Sequence, residues 1–282
     1  MKNLEERQMY RLIAFDMDGT LLDSKKEILE SSIQAVKDAE RVGKIVILNT
    51  GRGLAELQEY LPKLPKVRYL NALSGALVYD LKEEKEIYSQ SIPVEIVKQL
   101  MAYASEEQAM PQILTDRSII QKSHWEHMER YHMGIYQKMF ETVAVKWDDI
   151  EKTYLQNPFP AAKFNIYHTS PESRARTKEK IQAAGIPVTM VCAETTSLEI
   201  SALGVDKGVG LERLCQHIQL PLSETIVVGD AENDIGALKK AGLSVVMDNA
   251  AQNIKDLADV VVADCDHGGC AEAVKRYLLN LR

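Results

Sequence analysis

The sequence predicts an α/β protein: a doubly wound, mostly parallel sheet with an α+β domain inserted into it. Three observations carry that prediction. Short apolar runs end abruptly in acidic or polar residues: Leu12–Phe15 into Asp16, Ile45–Leu48 into Asn49 and Thr50, and Thr225–Val228 into Gly229 and Asp230. Such runs are the mark of strands buried on both faces of a parallel sheet. Helical patterns lie between them, and β-α-β order implies right-handed crossovers that bring the run ends to one edge. Over 82–195 the rhythm changes to hairpin and mixed helical signals. The bounds of that insert, 82–195, and of the core, 1–81 and 196–282, are set by the four motifs described below, two of which precede it and two of which follow it.

Composition bounds the class. The chain has 282 residues, 45% hydrophobic and 27% charged, ordinary for a globular protein with one large or two medium domains. A formal charge of −7 argues against nucleic acid, whose binders are basic. It leaves room for a phosphate ligand, because a metal reverses the local field. The N-terminus MKNLEERQMYR has no apolar stretch and does not read as a secretory signal. No apolar run approaches the about 18 residues of a membrane span. Cys192, Cys215, Cys265 and Cys270 form no CxxC pair and read as reduced thiols in a cytoplasmic protein. Cys265 and Cys270 flank His267, but the spacing matches no zinc pattern.

Each element follows from its local pattern. Residues 1–10 read as a polar lead-in. Ile28, Ile33, Val36, Ala39 and Val42 recur near helical spacing, so a helix is expected over Glu27–Gly43. Ile45–Leu48 is a strand, Leu54–Leu61 a helix and Tyr69–Leu73 a third strand. Leu77–Tyr79 and Ile87–Ser89 flank the charged DLKEEKE as a hairpin. In the insert, Val94–Ala104 is helical, and Gln112–Leu114 with Ile119–Gln121 makes another hairpin. His124–Tyr136, rich in aromatic and histidine residues, reads as a packed or surface helix and is the candidate for reading a leaving group. Lys163–His168 is a strand. Ser170-Pro171 opens a helix to about Gly185, and Val188–Cys192 and Leu198–Ile200 are strands. The core resumes with the helix Val209–Ile218, the strand Thr225–Val228, the helix Ile235–Ala241, and the strands Leu243–Met247 and Val260–Val262.

The chemistry concentrates at the strand ends. Ligands of open α/β sheets bind outside the carboxyl ends of the strands, where Asp16 and Asp18 fall. Two carboxylates this close tolerate each other when a cation lies between them or when their roles differ. Phosphoryl transfer meets both conditions. One acid attacks phosphorus, the other passes protons, and Mg2+ ties carboxylate to phosphate. Thr50, with nearby backbone N–H groups such as that of Gly51, is placed to donate to phosphate, although a helix cap is an alternative use. Lys207 opens a helix against the dipole preference, a conflict that a bound phosphate resolves. Asp230 and Asp234 are candidate metal ligands, direct or through water. Asn233 either bonds the phosphate or holds a ligand in place.

Asp16-Met17-Asp18-Gly19-Thr20 resembles the DxDGT motif of the haloacid-dehalogenase-like phosphatases. P-type ATPases share the nucleophile but carry DKTGT, so Asp18 favours a hydrolase. Thr50-Gly51-Arg52 resembles the second motif, LEI…GVDKG around Lys207 the third of the Cof-type branch, and Gly229-Asp230-Ala231-Glu232-Asn233-Asp234 the fourth, GDxxND. The resemblance implies a cap inserted between the second and third motifs. It also implies Asp16 as nucleophile, Asp18 as proton carrier, and Thr50, Gly51, Lys207 and Asn233 on the phosphate. Mg2+ would be held by Asp16, Asp18 (through its backbone carbonyl), Asp230 and Asp234. Four places depart from the pattern: Ser74 where the branch has Asn, Ala237 where the family often has Met, Asp248 where it has Gly, and His267-Gly268-Gly269 near its Asp-Gly-Val. The expected activity is Mg2+-dependent hydrolysis of a small phosphomonoester, a sugar phosphate or phosphorylated cofactor, through an aspartyl-phosphate. A phosphomutase or phosphotransferase would use the same residues. A binding module on a retired scaffold is the remaining alternative.

Overall fold

The computed structural model describes residues 10–192 and 195–281, so the expected lead-in lies, but for Tyr10, outside the described residues. Fourteen strands among the described residues run in chain order: β1 Leu12–Phe15, β2 Ile45–Asn49, β3 Tyr69–Ala72, β4 Leu77–Asp80, β5 Lys85–Ser89, β6 Met110–Leu114, β7 Ser118–Gln121, β8 Ala144–Trp147, β9 Lys163–Tyr167, β10 Val188–Val191, β11 Ser197–Ala202, β12 Thr225–Gly229, β13 Leu243–Met247 and β14 Val260–Val262. They form an eight-stranded sheet, β14-β13-β12-β1-β2-β3-β4-β5, and a six-stranded sheet, β10-β11-β9-β6-β7-β8.

In the larger sheet β14 through β3 are parallel, and β4 and β5 add an antiparallel hairpin at one edge. Strand β1 is central and fully buried, as its run of four apolar residues demands. After β1 the chain winds outward to β2 and β3 on one side, and later from β12 to β14 on the other. The winding reverses between β1 and β12, which opens a crevice at their carboxyl ends. Phe15 pairs with Val228 and Leu48, so Asp16, Asn49 and Gly229 leave the sheet at one level.

The helix expected over 27–43 forms over Glu30–Arg41 and buries Ile33, Ala35, Val36 and Ala39. Gly43 follows it at φ +80, the left-handed conformation that ends helices. The helix expected over 54–61 is instead two separate 3₁₀ turns, Leu54–Leu57 and Leu61–Lys63. Pro62 has no N–H to give to the carbonyl of Gln58, so the run breaks over 58–60 and Pro62 falls in the first turn of the second piece, where a missing N–H costs least.

The smaller sheet is antiparallel except for its β7–β8 edge. One face carries Ile113, Ile119, Phe164, Ile166, Leu198 and Ile200 into the hydrophobic core. Helix Val94–Glu106 packs there on β6 and β9, and helix Pro171–Ala183 on β11. The alternate residues Gln112, Ser118, Lys163, Asn165, Tyr167, Ser197 and Glu199 belong to the opposite face and are nevertheless largely buried. A polar face this enclosed signals a lined crevice, because polar groups leave water only for partners.

Sheet membership places the change-over differently from 82 and 195. Strand β5 extends the larger sheet, and β11 belongs to the smaller one, so the crossings follow Ser89 and Ala202. The expected first boundary cut the charged tip of a hairpin whose two arms pair with each other. The stretch His124–Tyr136 is not one helix. Lys122–Trp125, Met128–Tyr131 and Gly134–Tyr136 are short turns, broken where His132 takes φ +59.

Candidate active site

Asp16 leaves β1 almost fully buried, 4% exposed. Gly19 turns the chain back at φ +82, and a Cβ there would stand 2.4 Å from Asp230 Oδ2. Only glycine lets the loop approach that carboxylate. Thr20 then donates from Oγ1 to Asp230 Oδ1 at 2.7 Å. Asp234 faces the same point from the turn after β12, where its Oδ2 accepts the backbone N–H of Asp230 at 3.0 Å and of Ala231 at 3.2 Å.

Lys207 closes the cluster from below. It is fully buried and donates from Nζ to Asp16 Oδ1 at 2.6 Å and to Asp234 Oδ1 at 2.8 Å. The helix it opens, Lys207–His217, is capped by Asp206, whose side chain accepts the N–H of Val209. The misplaced charge is thus resolved by two carboxylates on the ammonium, in addition to whatever anion binds. Burial opposes the charge of Lys207, yet Asp16 and Asp234 raise its pKa. Burial pushes the Asp16 carboxyl well above the usual range despite Lys207, with Asp234 and Asp230 adding to the rise. Burial and then Asp234 push Asp230 up to about 7.

Carboxylate oxygens of Asp16, Asp230 and Asp234 come within 4.8 Å of one another. Three converging acids, of which Asp16 and Asp234 share one ammonium and Asp16 and Asp230 are raised, are a donor set that a hard divalent cation fits, since a cation restores their charged forms. Asn233 beside them has a buried Oδ1 with no hydrogen-bond partner, an atom left for something that binds. The carboxylate of Asp18 stands outside this set. Arg52 takes it with Nε at 2.8 Å and Nη2 at 2.9 Å, and Lys26 Nζ adds a third bond at 2.9 Å. Burial opposes its charge, but Arg52 and then Lys26 hold its carboxyl well below the usual range.

Thr50 is 1% exposed; its Oγ1 accepts the N–H of Arg52, which leaves the hydroxyl proton to donate elsewhere. Gly51 lines the cavity, and its carbonyl accepts from Lys163 Nζ of the smaller sheet at 3.1 Å. Leu73, Ser74 and Gly75 take positive φ in succession. Ser74 occupies the conformation that asparagine tolerates best and bonds Glu199 Oε2 at 3.0 Å. Asp248 pairs with Lys255, and its neighbour Asn249 braces the turn after β1 by donating to Gly19 O at 2.8 Å. His267 pairs with Asp264.

The cavity above these acids holds about 280 Å³ and is closed by the polar face of the smaller sheet together with Met133, Tyr136, Met139 and Phe140. From the histidine- and aromatic-rich stretch, only Met133 and Tyr136 reach it. Tyr136 belongs to the stretch that the sequence singles out, whereas Lys26, Lys163, Asn165 and Glu199 are not singled out there, and Arg52 only as part of a motif. The period-two alternation Lys163, Asn165, Tyr167 was the legible signal for the sheet residues.

Acids at the switch point of a parallel sheet, facing the polar side of a second sheet across a cavity, define the site of an α/β enzyme. Residues 13–274 match the sequence profile of the haloacid dehalogenase-like hydrolases, and the chain belongs to that family. It is 26% identical to the phosphatase YwpJ of Bacillus subtilis, over 95% of this chain and 100% of that one. It is 24% identical to the B. subtilis 5-amino-6-(5-phospho-D-ribitylamino)uracil phosphatase YcsE, over 95% and 96%. A haloacid dehalogenase-like hydrolase of B. subtilis shares the fold with a TM-score of 0.83 at 23% identity, over 94% of this chain and 99% of that one. Among the described residues no helix is long and apolar enough to cross a membrane.

Proposed function

We propose that the protein is a Mg2+-dependent phosphatase of small phosphomonoesters that works through an aspartyl-phosphate. The observation that carries this reading is the cluster of Asp16, Asp230 and Asp234 within 4.8 Å at the crevice floor. Asp16, Asp230, Asp234 and the backbone carbonyl of Asp18 would hold the metal, which supplies positive charge against the phosphoryl oxygens when bound.

Asp16 attacks phosphorus; the bond to the leaving oxygen breaks, and Asp18 gives that oxygen its proton. Asp18 then takes a proton from the water that cleaves the phosphoenzyme and is ready for another cycle. Lys207 and Thr50 offset charge on the transferring oxygens, and Asn233 and the Gly51 N–H orient them. Asp18 exchanges at least one of its contacts with Lys26 and Arg52 for the substrate. The relative acting on a phosphorylated ribitylaminouracil supports a sugar phosphate or phosphorylated cofactor as substrate. Four unpaired cysteines support a cytoplasmic setting.

The test is phosphate release from a panel of phosphorylated metabolites by the purified protein. Release should stop in EDTA, return with Mg2+ and be absent in Asp16→Asn. Full turnover in chelator, or by Asp16→Asn, refutes the reading.

A further inference from the structure

A row of buried polar side chains crosses the roof of the cavity, and its hydrogen bonds can be oriented one after another. Glu56 begins it: Oε2 accepts the Gly53 N–H at 2.9 Å, and Oε1 accepts from Gln112 Nε2 at 2.8 Å. A carboxylate accepts only, so Gln112 must turn its NH2 group toward Glu56. The same nitrogen donates to Ser118 Oγ at 2.7 Å. Gln112 Oε1 is then an acceptor, filled by Asn165 Nδ2 at 2.9 Å and by the Tyr167 hydroxyl at 2.7 Å. Asn165 Nδ2 also donates to the Tyr167 oxygen at 3.0 Å.

This chain of donation fixes Asn165. Flipping its amide would set Oδ1 against Gln112 Oε1, two acceptors facing each other. Oδ1 is therefore the remaining atom of the amide, and it is buried with no partner. Asn165 is 4% exposed and lines the cavity. A buried acceptor in a network otherwise made is costly to leave empty, and its natural complement is a ligand O–H or N–H.

Charge narrows the ligand further. The cations lining the cavity are Lys26, Arg52 and Lys163. Lys26 and Arg52 bind Asp18, and Lys163 binds Glu199 at 2.8 Å. Among the described residues no lining cation stands without a carboxylate. The pairs on Asp18 loosen in the proposed cycle, but Lys163–Glu199, on the same sheet face as Asn165, does not, and a second anionic group placed there would have to break it, whereas a neutral group would not.

We propose that Asn165 is a specificity-determining residue that accepts a hydrogen bond from an uncharged leaving group. The substrate class is then the phosphomonoester of a polyhydroxylated or amino-bearing small molecule. The proposal rests on the phosphatase reading of the same site and names the half of the substrate that the catalytic acids do not read.

The experiment compares kcat/KM for phosphate release from ribitol 5-phosphate and from pentyl phosphate, equal in length and without further donors. The wild-type enzyme should prefer ribitol 5-phosphate by about tenfold or more, the effect of one well-made hydrogen bond. In Asn165→Leu the preference should fall below about threefold. A wild-type preference under threefold, or a preference that Asn165→Leu keeps, overturns the proposal. Singly deoxygenated ribitol 5-phosphates on the wild-type enzyme give a test that does not depend on the variant folding. Loss concentrated at one hydroxyl agrees with a single acceptor, and loss spread evenly over all positions refutes it. A preference for ribulose 1,5-bisphosphate over ribitol 5-phosphate refutes the neutral leaving group. If neither ester releases phosphate while other phosphomonoesters of the metabolite panel do, the polyhydroxylated class is refuted; if no member of the panel releases phosphate, the phosphatase reading itself has failed, and this inference falls with it.

Discussion

Arg52 grips Asp18 with two parallel hydrogen bonds, Nε to Oδ2 at 2.8 Å and Nη2 to Oδ1 at 2.9 Å. Bidentate pairs of this kind are strong and directional. Arg52 lies on the loop after β2 and Asp18 on the loop after β1, so the pair ties neighbouring strand ends. It also holds the proposed proton carrier ionised, although a proton carrier works best with a pKa near the working pH. Substrate must therefore loosen the grip before the first proton moves.

Lys26 is the weaker partner and the one to remove. Without its ammonium, the charged form of Asp18 loses support, so the pKa of Asp18 rises. The limb of the kcat/KM profile governed by Asp18 should move to higher pH in Lys26→Met. A profile superimposable on the wild type would show that Lys26 does not act on the proton carrier.

Asp16 and Asp18 should fail differently. Asp16→Asn lacks the nucleophile and should turn over no substrate. Asp18→Asn keeps it, and a phenolate leaves without a proton. A rapid-quench experiment with an aryl phosphate should give a burst of phenol and labelled protein, followed by hydrolysis slower by about 10²–10⁴-fold. A folded Asp18→Asn with neither burst nor label would assign Asp18 another role.

Metal binding should be visible without turnover. A ligand bound only by the native state at 100 times its Kd stabilises by about 2.7 kcal/mol, so Mg2+ should raise the melting temperature. Asp230→Asn removes one of three converging carboxylates and should abolish most of that rise. An equal Mg2+ response in this variant would place the ion elsewhere.

Two glycines separate backbone strain from collision. Gly43 and Gly75 both have positive φ, but a Cβ on Gly43 meets nothing within 4 Å, whereas one on Gly75 would lie 1.9 Å from Asp206 O. Gly43→Ala should cost about 1–2 kcal/mol, the strain of a left-handed alanine. Gly75→Ala should cost clearly more and reduce turnover, because Asp206 caps the helix that begins with Lys207. Equal losses in urea titrations would refute the collision.

The sequence was most legible where the chemistry repeats along one strand end. Asp16, Thr50 and Asp230 stand out because apolar runs point at them, and Lys207 because a cation opens a helix against the dipole. Gly43 and Ser170-Pro171 were read correctly from helix ends. What could not be read depends on partners far along the chain. Arg52 and Lys26 meet Asp18 from separate loops, and Lys163 meets Glu199 across 36 positions. The 54–61 segment misled because its apolar spacing is helical while Pro62 is not compatible with that helix. The aromatic stretch misled because left-handed His132 cannot be seen in spacing.

The central position of β1 has a consequence for how the protein is made. Its neighbour on one side, β2, is 30 residues away in the chain, but its neighbour on the other side, β12, begins at Thr225. A ribosome delivers the first within seconds and the second only after the whole cap, at about 5–20 residues per second. Through that interval β1 has an open edge of fully apolar residues, a surface prone to pairing with other chains. The catalytic acids are likewise divided, with Asp16 waiting for Asp230 and Asp234. A nascent or truncated chain ending just before 225 thus carries Asp16 and Lys207 without Asp230 and Asp234. It would be a species prone to association until the last fifth of the chain arrives.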